Sequence, residues 1–297
     1  MAAGGSADVR SLGLPVVDHH AHLRPDAASM EAVRRFESLG GTHIFLATQN
    51  YAETVPLSLE DYRAQFETTL AIVRSIEQQT TVRAFPVLAP YPIDLLGAAD
   101  QIGLAQAVEV QKAAIELAGR YIREHAAVAI GEVGRAHFPV PPEREGALTE
   151  VLEHAMQVGR EVGCPLVLHT EDLDGAGYEG LAKMAARLSL EPSRLVKHYA
   201  RAFVPAPLRH SIVPSFLARK DLAKESLVDP GPWFWETDYL ADPSRPGAVL
   251  SLETVPRRVA GLLRLEAPAA LSERLSIPFR EAPRKVYGIE LQPRVGP

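Results

Sequence analysis

Cysteine is almost absent from this chain, with Cys164 the single example among 297 residues. One thiol closes no intrachain disulfide and builds no cysteine-rich zinc site; placed before Pro165 at a strand start, it reads as a buried structural residue. Long apolar runs are missing too, and none approaches the ~18–20 residues of a membrane span. The opening MAAGGSADVR has neither a basic stretch nor an apolar core, so it is not read as a secretory signal, and the cytoplasm is the expected compartment. Positive charge is not in excess. Lys and Arg number 31 against 37 Asp and Glu, and the net −6 speaks against bulk electrostatic binding of nucleic acid, leaving room only for a local basic rim. No internal repeat, low-complexity tract or long linker divides the sequence.

What is present is ordinary for a water-soluble globular chain: 46% hydrophobic and 23% charged residues, enough to bury a sizeable core. Eight apolar runs read as strands, at Leu14–His20, His43–Thr48, Val82–Ala89, Ala127–Glu132, Pro165–His169, Arg194–His198, His210–Ser215 and Trp233–Asp238. Leu-Pro-Val-Val-Asp and Pro-Leu-Val-Leu-His are apolar almost to their polar ends, as in strands buried on both faces of a parallel sheet. Helical periods fill the gaps at Leu59–Gln78, Asp100–Glu124, Glu143–Val162, Gly175–Leu190 and Pro246–Leu265. Ser58 is placed to cap the first of these and Gly163 to stop the third.

Eight strand–helix alternations predict a single (β/α)8 TIM barrel of α/β class spanning 1–297. Its first 12 residues are expected to be flexible, and 266–297 is expected to form an extension packed on the barrel. An open doubly wound sheet would want a glycine-rich phosphate loop after its first strand, where Asp18-His19-His20-Ala21-His22 stands instead.

The strand ends carry the chemistry. His20 and His22, two apart on a strand, point to one side and can chelate one ion, while His19 has the opposite parity and is assigned to packing or the rim. The fourth run ends in Gly131-Glu132-Val133-Gly134, the fifth at His169, the sixth at His198 and the eighth at Asp238. In a barrel all these ends meet at one mouth, where the active sites of the fold lie. Four histidines and two carboxylates exceed what one tetrahedral zinc takes and suit two divalent ions sharing a carboxylate and a water. The histidine count favours zinc, whereas Mg or Mn suits phosphoryl chemistry.

In this order the motifs resemble those of the TatD-like metal-dependent hydrolases of the amidohydrolase superfamily. The resemblance implies that His20, His22 and Asp238 hold one ion, that His169 and His198 hold the other, and that Glu132 bridges them. Asp238 would also orient the attacking water or accept its proton. Because Glu132 occupies the bridging position, no carboxylated lysine is implied, and Lys197 is read as a structural or rim residue. The chain departs from the TatD nucleases at Ala89-Pro90-Tyr91-Pro92, where Tyr91 replaces a histidine near the substrate phosphate. It departs again at Arg135-Ala136, at Tyr199-Ala200-Arg201 and from Tyr239 to Gly247, so it looks like a less-characterised branch.

Tyr91, Arg135 and Arg201 are the candidate substrate contacts, with Arg24 and Arg245 also just past strand ends and Thr48, Gln49 and Asn50 at the end of the second strand. Asp18 could orient a ligand or sit on the barrel floor, and Trp233 and Trp235 are assigned to core packing. The expected function is dinuclear metal-dependent hydrolysis of a phosphoester or phosphodiester in a small-molecule or nucleotide-like substrate. An amide, lactone or carboxylic ester is the alternative substrate. A mononuclear deaminase-like site and a metal-binding scaffold without turnover are the remaining readings. Neither a nucleic-acid partner nor a membrane is favoured.

Overall fold

The computed structural model describes residues 8–52, 54–241 and 249–292. Its first strand, β1 (Val17–His22), is buried along its whole length and is followed by α1 (Ala27–Ser38), which Asp26 caps by accepting from the Ser29 amide. The alternation continues through β2 (His43–Ala47), α2 (Leu59–Gln79) and β3 (Arg83–Leu88). Ser58 caps α2 in a reciprocal box with Asp61, satisfying amides the helix cannot bond itself.

The helix expected over Asp100–Glu124 is two helices, α3 (Asp94–Ile102) and α4 (Leu104–Arg123). Gly103 between them takes φ 84° and ψ 149°, a conformation open to glycine that no helix can propagate through. Next come β4 (Ala129–Gly134), α5 (Pro142–Val162), β5 (Leu166–His169), α6 (Gly175–Arg187) and β6 (Leu195–Ala200). Gly163 ends α5 in the left-handed conformation.

The seventh strand is displaced from its expected place. His210 and Ser211 have positive φ and make a turn, so β7 runs Val213–Leu217, and α7 (Lys220–Ser226) follows it. The eighth strand is split into β8 (Phe234–Glu236) and β9 (Tyr239–Leu240), with Asp238 between them at φ 49°. Past the expected start at Pro246, the last barrel helix α8 covers only Thr254–Leu263, and residues 242–248 with Arg245 lie outside the described residues.

All strand pairs are parallel and follow chain order from β1 to β8. β8 pairs with β7, while β9, two residues further on, pairs with β1 through Ala21–Tyr239 and His22–Leu240. One stretch of chain therefore forms both edges of the sheet, and the (β/α)8 barrel closes. Asp18 secures the seam. Its carboxylate accepts from the Thr237 amide (3.0 Å), the Thr237 hydroxyl (2.5 Å) and the His20 amide (3.2 Å), and the Asp238 amide donates to the His20 carbonyl (2.9 Å).

The end opposite the mouth is stoppered by the C-terminal segment, α9 (Pro268–Ser276), a π-type turn at Ile277–Glu281 and α10 (Ala282–Tyr287). Ala282 and Val286 pack on Val196, Val213 and Phe234 near the starts of β6, β7 and β8. The Tyr287 hydroxyl reaches His19 Nε2 (2.7 Å), and His19 stacks on Phe234, with its Nδ1 3.1 Å from the Ser215 hydroxyl. His19 is thus an interior residue, far from any rim. Trp233 and Trp235 are buried, the latter donating to Ser226 (2.9 Å), and Cys164 is buried as well. Within the stretch 1–12, Val9–Leu12 form a 3-10 turn with Val9 and Leu12 buried.

Candidate metal centre

The glycines around Glu132 explain how a carboxylate comes to face inward from β4. A Cβ on Gly131 would stand 2.6 Å from the Val167 Cβ, and one on Gly134 would overlap the His169 carbonyl oxygen. Only bare backbone lets β4 lie this close to β5, and the register slips between Gly131 and Val133, the stretch that holds Glu132.

Glu132 sits at the centre of the donors. Its Oε1 lies 2.9 Å from His20 Nε2 and 2.8 Å from His198 Nε2, and its Oε2 lies 3.9 Å from His169 Nδ1. His20 and His22 bring their Nε2 atoms to 3.2 Å, His169 Nδ1 and His198 Nε2 to 3.1 Å, and Asp238 Oδ1 is 3.6 Å from His22 and 3.8 Å from His20. Ligands bonded at ~2.0–2.1 Å to a tetrahedral ion stand about 3.3 Å apart, so these spacings fit a divalent ion held within the cluster. His20, Glu132, His198 and Asp238 have ligand atoms all within 4.8 Å of one another. The donor set is nitrogen and oxygen only, suited to zinc and to harder divalent ions alike.

Burial sets the electrostatics. It holds His22 down at about 4 and lowers His169, keeping both imidazoles neutral and free to donate a lone pair. Burial also opposes charge on Glu132, but His198, His169 and His20 outweigh it and hold the carboxyl well below its usual range. His198 is the converse, since burial works against its charge while Glu132 and Glu236 lift it to about 10. Asp238 is pushed up to about 7 by burial. Behind His198, the buried Glu236 accepts from the Tyr199 amide (2.6 Å) and approaches His198 Nδ1 (3.5 Å).

A cavity of about 660 Å³ opens over this cluster, with His22, Glu132, His169, His198 and Asp238 in its wall. Tyr91 lines it, its hydroxyl 3.4 Å from His169 Nε2. Arg201 lines it too, bound to Asp172 through Nε (3.2 Å) and Nη2 (2.5 Å). Arg135 is not brought into this cavity; it binds Glu171 (2.5 Å) and lines a neighbouring one of about 410 Å³. Thr48, Gln49 and Asn50 form one wall of the larger cavity. Arg24 is instead turned to the Tyr51 carbonyl (3.0 Å). Lys197 is buried, donating to the carbonyls of His198 (2.6 Å) and Thr170 (3.3 Å).

His137 escapes sequence reading. It stands on the loop after β4, in the walls of both cavities, with its Nδ1 2.9 Å from His169 Nε2. The signal for it is slight: a histidine five residues beyond Glu132, in a stretch without periodicity. No helix among the described residues is long and apolar enough to cross a membrane.

Residues 17–277 match the family model described as TatD related DNase. The uncharacterized protein MJ1127 of Methanocaldococcus jannaschii is 29% identical over 250 residues, covering 82% of this chain and 86% of that protein. Among solved structures, YJJV, a TatD homolog from Escherichia coli, superposes with a TM-score of 0.54 at 17% identity, covering 92% of this chain and 98% of its own. A mutant of a PTE-like lactonase from Deinococcus radiodurans gives 0.53 at 15%, covering 96% and 98%. At such identities the structural likeness is one of fold.

Proposed function

Because the chain belongs to the TatD-related DNase family and is a metal-dependent hydrolase, we propose that it works with two divalent ions. His20, His22 and Asp238 would hold one and His169 and His198 the other, with the carboxylate of Glu132 offered to both. The observation that carries this reading is the convergence of His20, His22, His169 and His198, from three other strand ends, on the two oxygens of Glu132, with Asp238 from a fourth beside His20 and His22. Bound there, zinc or another divalent ion supplies a Lewis acid that polarises a carbonyl or phosphoryl oxygen and makes water a nucleophile at neutral pH. The chain's own residues do the rest. Asp238 accepts the proton of the attacking water and returns it to the leaving group. His137 and Tyr91 beside His169 fix the plane of that imidazole, while Glu236 stands 3.5 Å behind His198 as a charge partner.

The family's description points to a phosphoester or phosphodiester. A second reading, an uncharged ester, lactone or amide, is favoured by the arginines: Arg201 and Arg135 are each engaged by a carboxylate, Asp172 and Glu171, and present no ready clamp for phosphate. Metal analysis of protein purified without chelator should give about two equivalents per chain, falling in His198→Ala. The same preparation should then be offered bis(4-nitrophenyl) phosphate and δ-valerolactone. Fewer than two equivalents after incubation with Zn, Mn or Mg would overturn the dinuclear reading, and turnover of one substrate alone would select between the bonds.

A further inference from the structure

Tyr199 follows the donor His198 near the end of β6, and the two line the same cavity although they are consecutive. In a regular strand, neighbours point to opposite faces. Here β6 bulges: Lys197 pairs with Pro214 and Ala200 with Phe216, so His198 and Tyr199 together stand against the single residue Ser215 of β7. Tyr199 takes up the extra length at φ 54°. That conformation suits glycine and costs a bulky residue free energy. Folded chains keep it where the surroundings enforce it, most often at sites of binding or catalysis. The enforcing contact is the buried Glu236, which accepts from the Tyr199 amide (2.6 Å). Glycine would make the same bond without strain, so the bulge does not by itself account for a tyrosine.

The bulge places a half-buried phenol ring in the cavity wall, its centroid 6.0 Å from that of the His198 imidazole. The Arg201 guanidinium lies over this ring, 5.4 Å from the centroid, and is itself tied to Asp172 by two hydrogen bonds, which steadies the phenol from outside. Leu240 and Val249 add apolar surface to the same cavity, whereas Thr48, Gln49 and Asn50 make a polar wall. An aliphatic group would gain only from buried area on the apolar side. An aromatic ring gains that area and, in addition, offset or edge-on contact with the phenol.

Resting on the hydrolase reading above, we propose that Tyr199 determines specificity by packing its ring on an aromatic ring of the substrate, a few bonds from the scissile one. The substrate class is then aromatic, whichever bond is cut.

The test uses the metal-loaded full chain and matched pairs of product-like ligands, read by calorimetry. Benzoate, phenylacetate and 3-phenylpropanoate are each compared with the cyclohexyl counterpart, and phenylphosphonate with cyclohexylphosphonate. The acid group goes to the ions, and the rings differ in aromaticity at nearly equal size. A merely apolar wall would take the saturated ring at least as well. In at least one pair the aromatic ligand should bind about fivefold tighter, the gain usual for a ring pair. Tyr199→Phe should keep that preference. Tyr199→Gly suits the backbone and retains the amide, and it should abolish the preference. Equal affinities or no binding in every pair, a preference lost in Tyr199→Phe, or one that survives Tyr199→Gly would overturn the proposal. Metal content of the same samples reports separately on the two-ion reading. Two equivalents without a preference refutes the role of Tyr199 alone, and a preference on fewer than two equivalents refutes the two-ion reading alone.

Discussion

At the residue scale the site is a problem of charge held without water. Asp18 illustrates it, a carboxyl buried at the barrel seam and pushed up to about 7 by burial, against the pull of its bonds from Thr237 and His20. A folded-state value above the unfolded 3.8 means that the native protein binds more protons between the two values. Asp18 therefore costs stability progressively as pH rises from about 4 to about 7. Asn would still accept from both amides and could donate to the Thr237 hydroxyl. In metal-free protein, Asp18→Asn should match the parent's Tm at pH 4 and exceed it increasingly up to pH 7–8; a gap that does not vary with pH would refute this account. For Asp238, substitution by Asn removes the proton acceptor while leaving the shape. It should lower kcat by at least about a hundredfold, the span usual for acid–base groups, with no more than one metal equivalent lost.

At the element scale the C-terminal helices matter because they close the end of the barrel away from the chemistry. Phe279 is fully buried against Trp235, and Phe279→Ala should cost about 3–5 kcal/mol by denaturant melts, the usual penalty for an aromatic cavity. Tyr287→Phe leaves His19 Nε2 without its partner in the interior and should cost about 1–3 kcal/mol. Both variants should keep the metal content of the parent, since neither residue touches the donors around Glu132. Parallel strands of this kind are easy to recognise in sequence because apolar runs such as Pro-Leu-Val-Leu have few alternatives. Their breaks are harder to see. Gly103 sits inside a continuous helical period and is a break only because its φ is positive, and β7 starts late because His210 and Ser211 turn the chain first. Periodicity carries no mark of either.

At the scale of the whole molecule, a net charge of −6 and arginines already paired at the mouth argue against a salt-dependent grip on DNA. Fluorescence anisotropy with a labelled 20-base-pair duplex should show no saturable binding at 50 mM salt; tight binding that weakens steeply with salt would restore the nuclease reading. Metal should act on stability by mass action. Divalent ion at a hundred times its Kd should add about 2.7 kcal/mol to the parent, and less to His198→Ala, as read from thermal melts.

The sequence by itself determined the barrel and its candidate donors. Strand parity set His20 beside His22, and the polar ends of apolar runs marked Glu132, His169, His198 and Asp238, because the fold leaves few places for such groups except its mouth. Tertiary structure alone decided what surrounds them. Asp18 latches the closing seam, His137 reaches His169 from a loop, and Glu236 stands behind His198. Loops have no period to read, and whether an arginine is paired depends on Glu171 and Asp172, which stand far from Arg135 and Arg201 in the chain. The physical reason is that desolvation and pairing are properties of an environment, and environment exists only once distant segments have packed together.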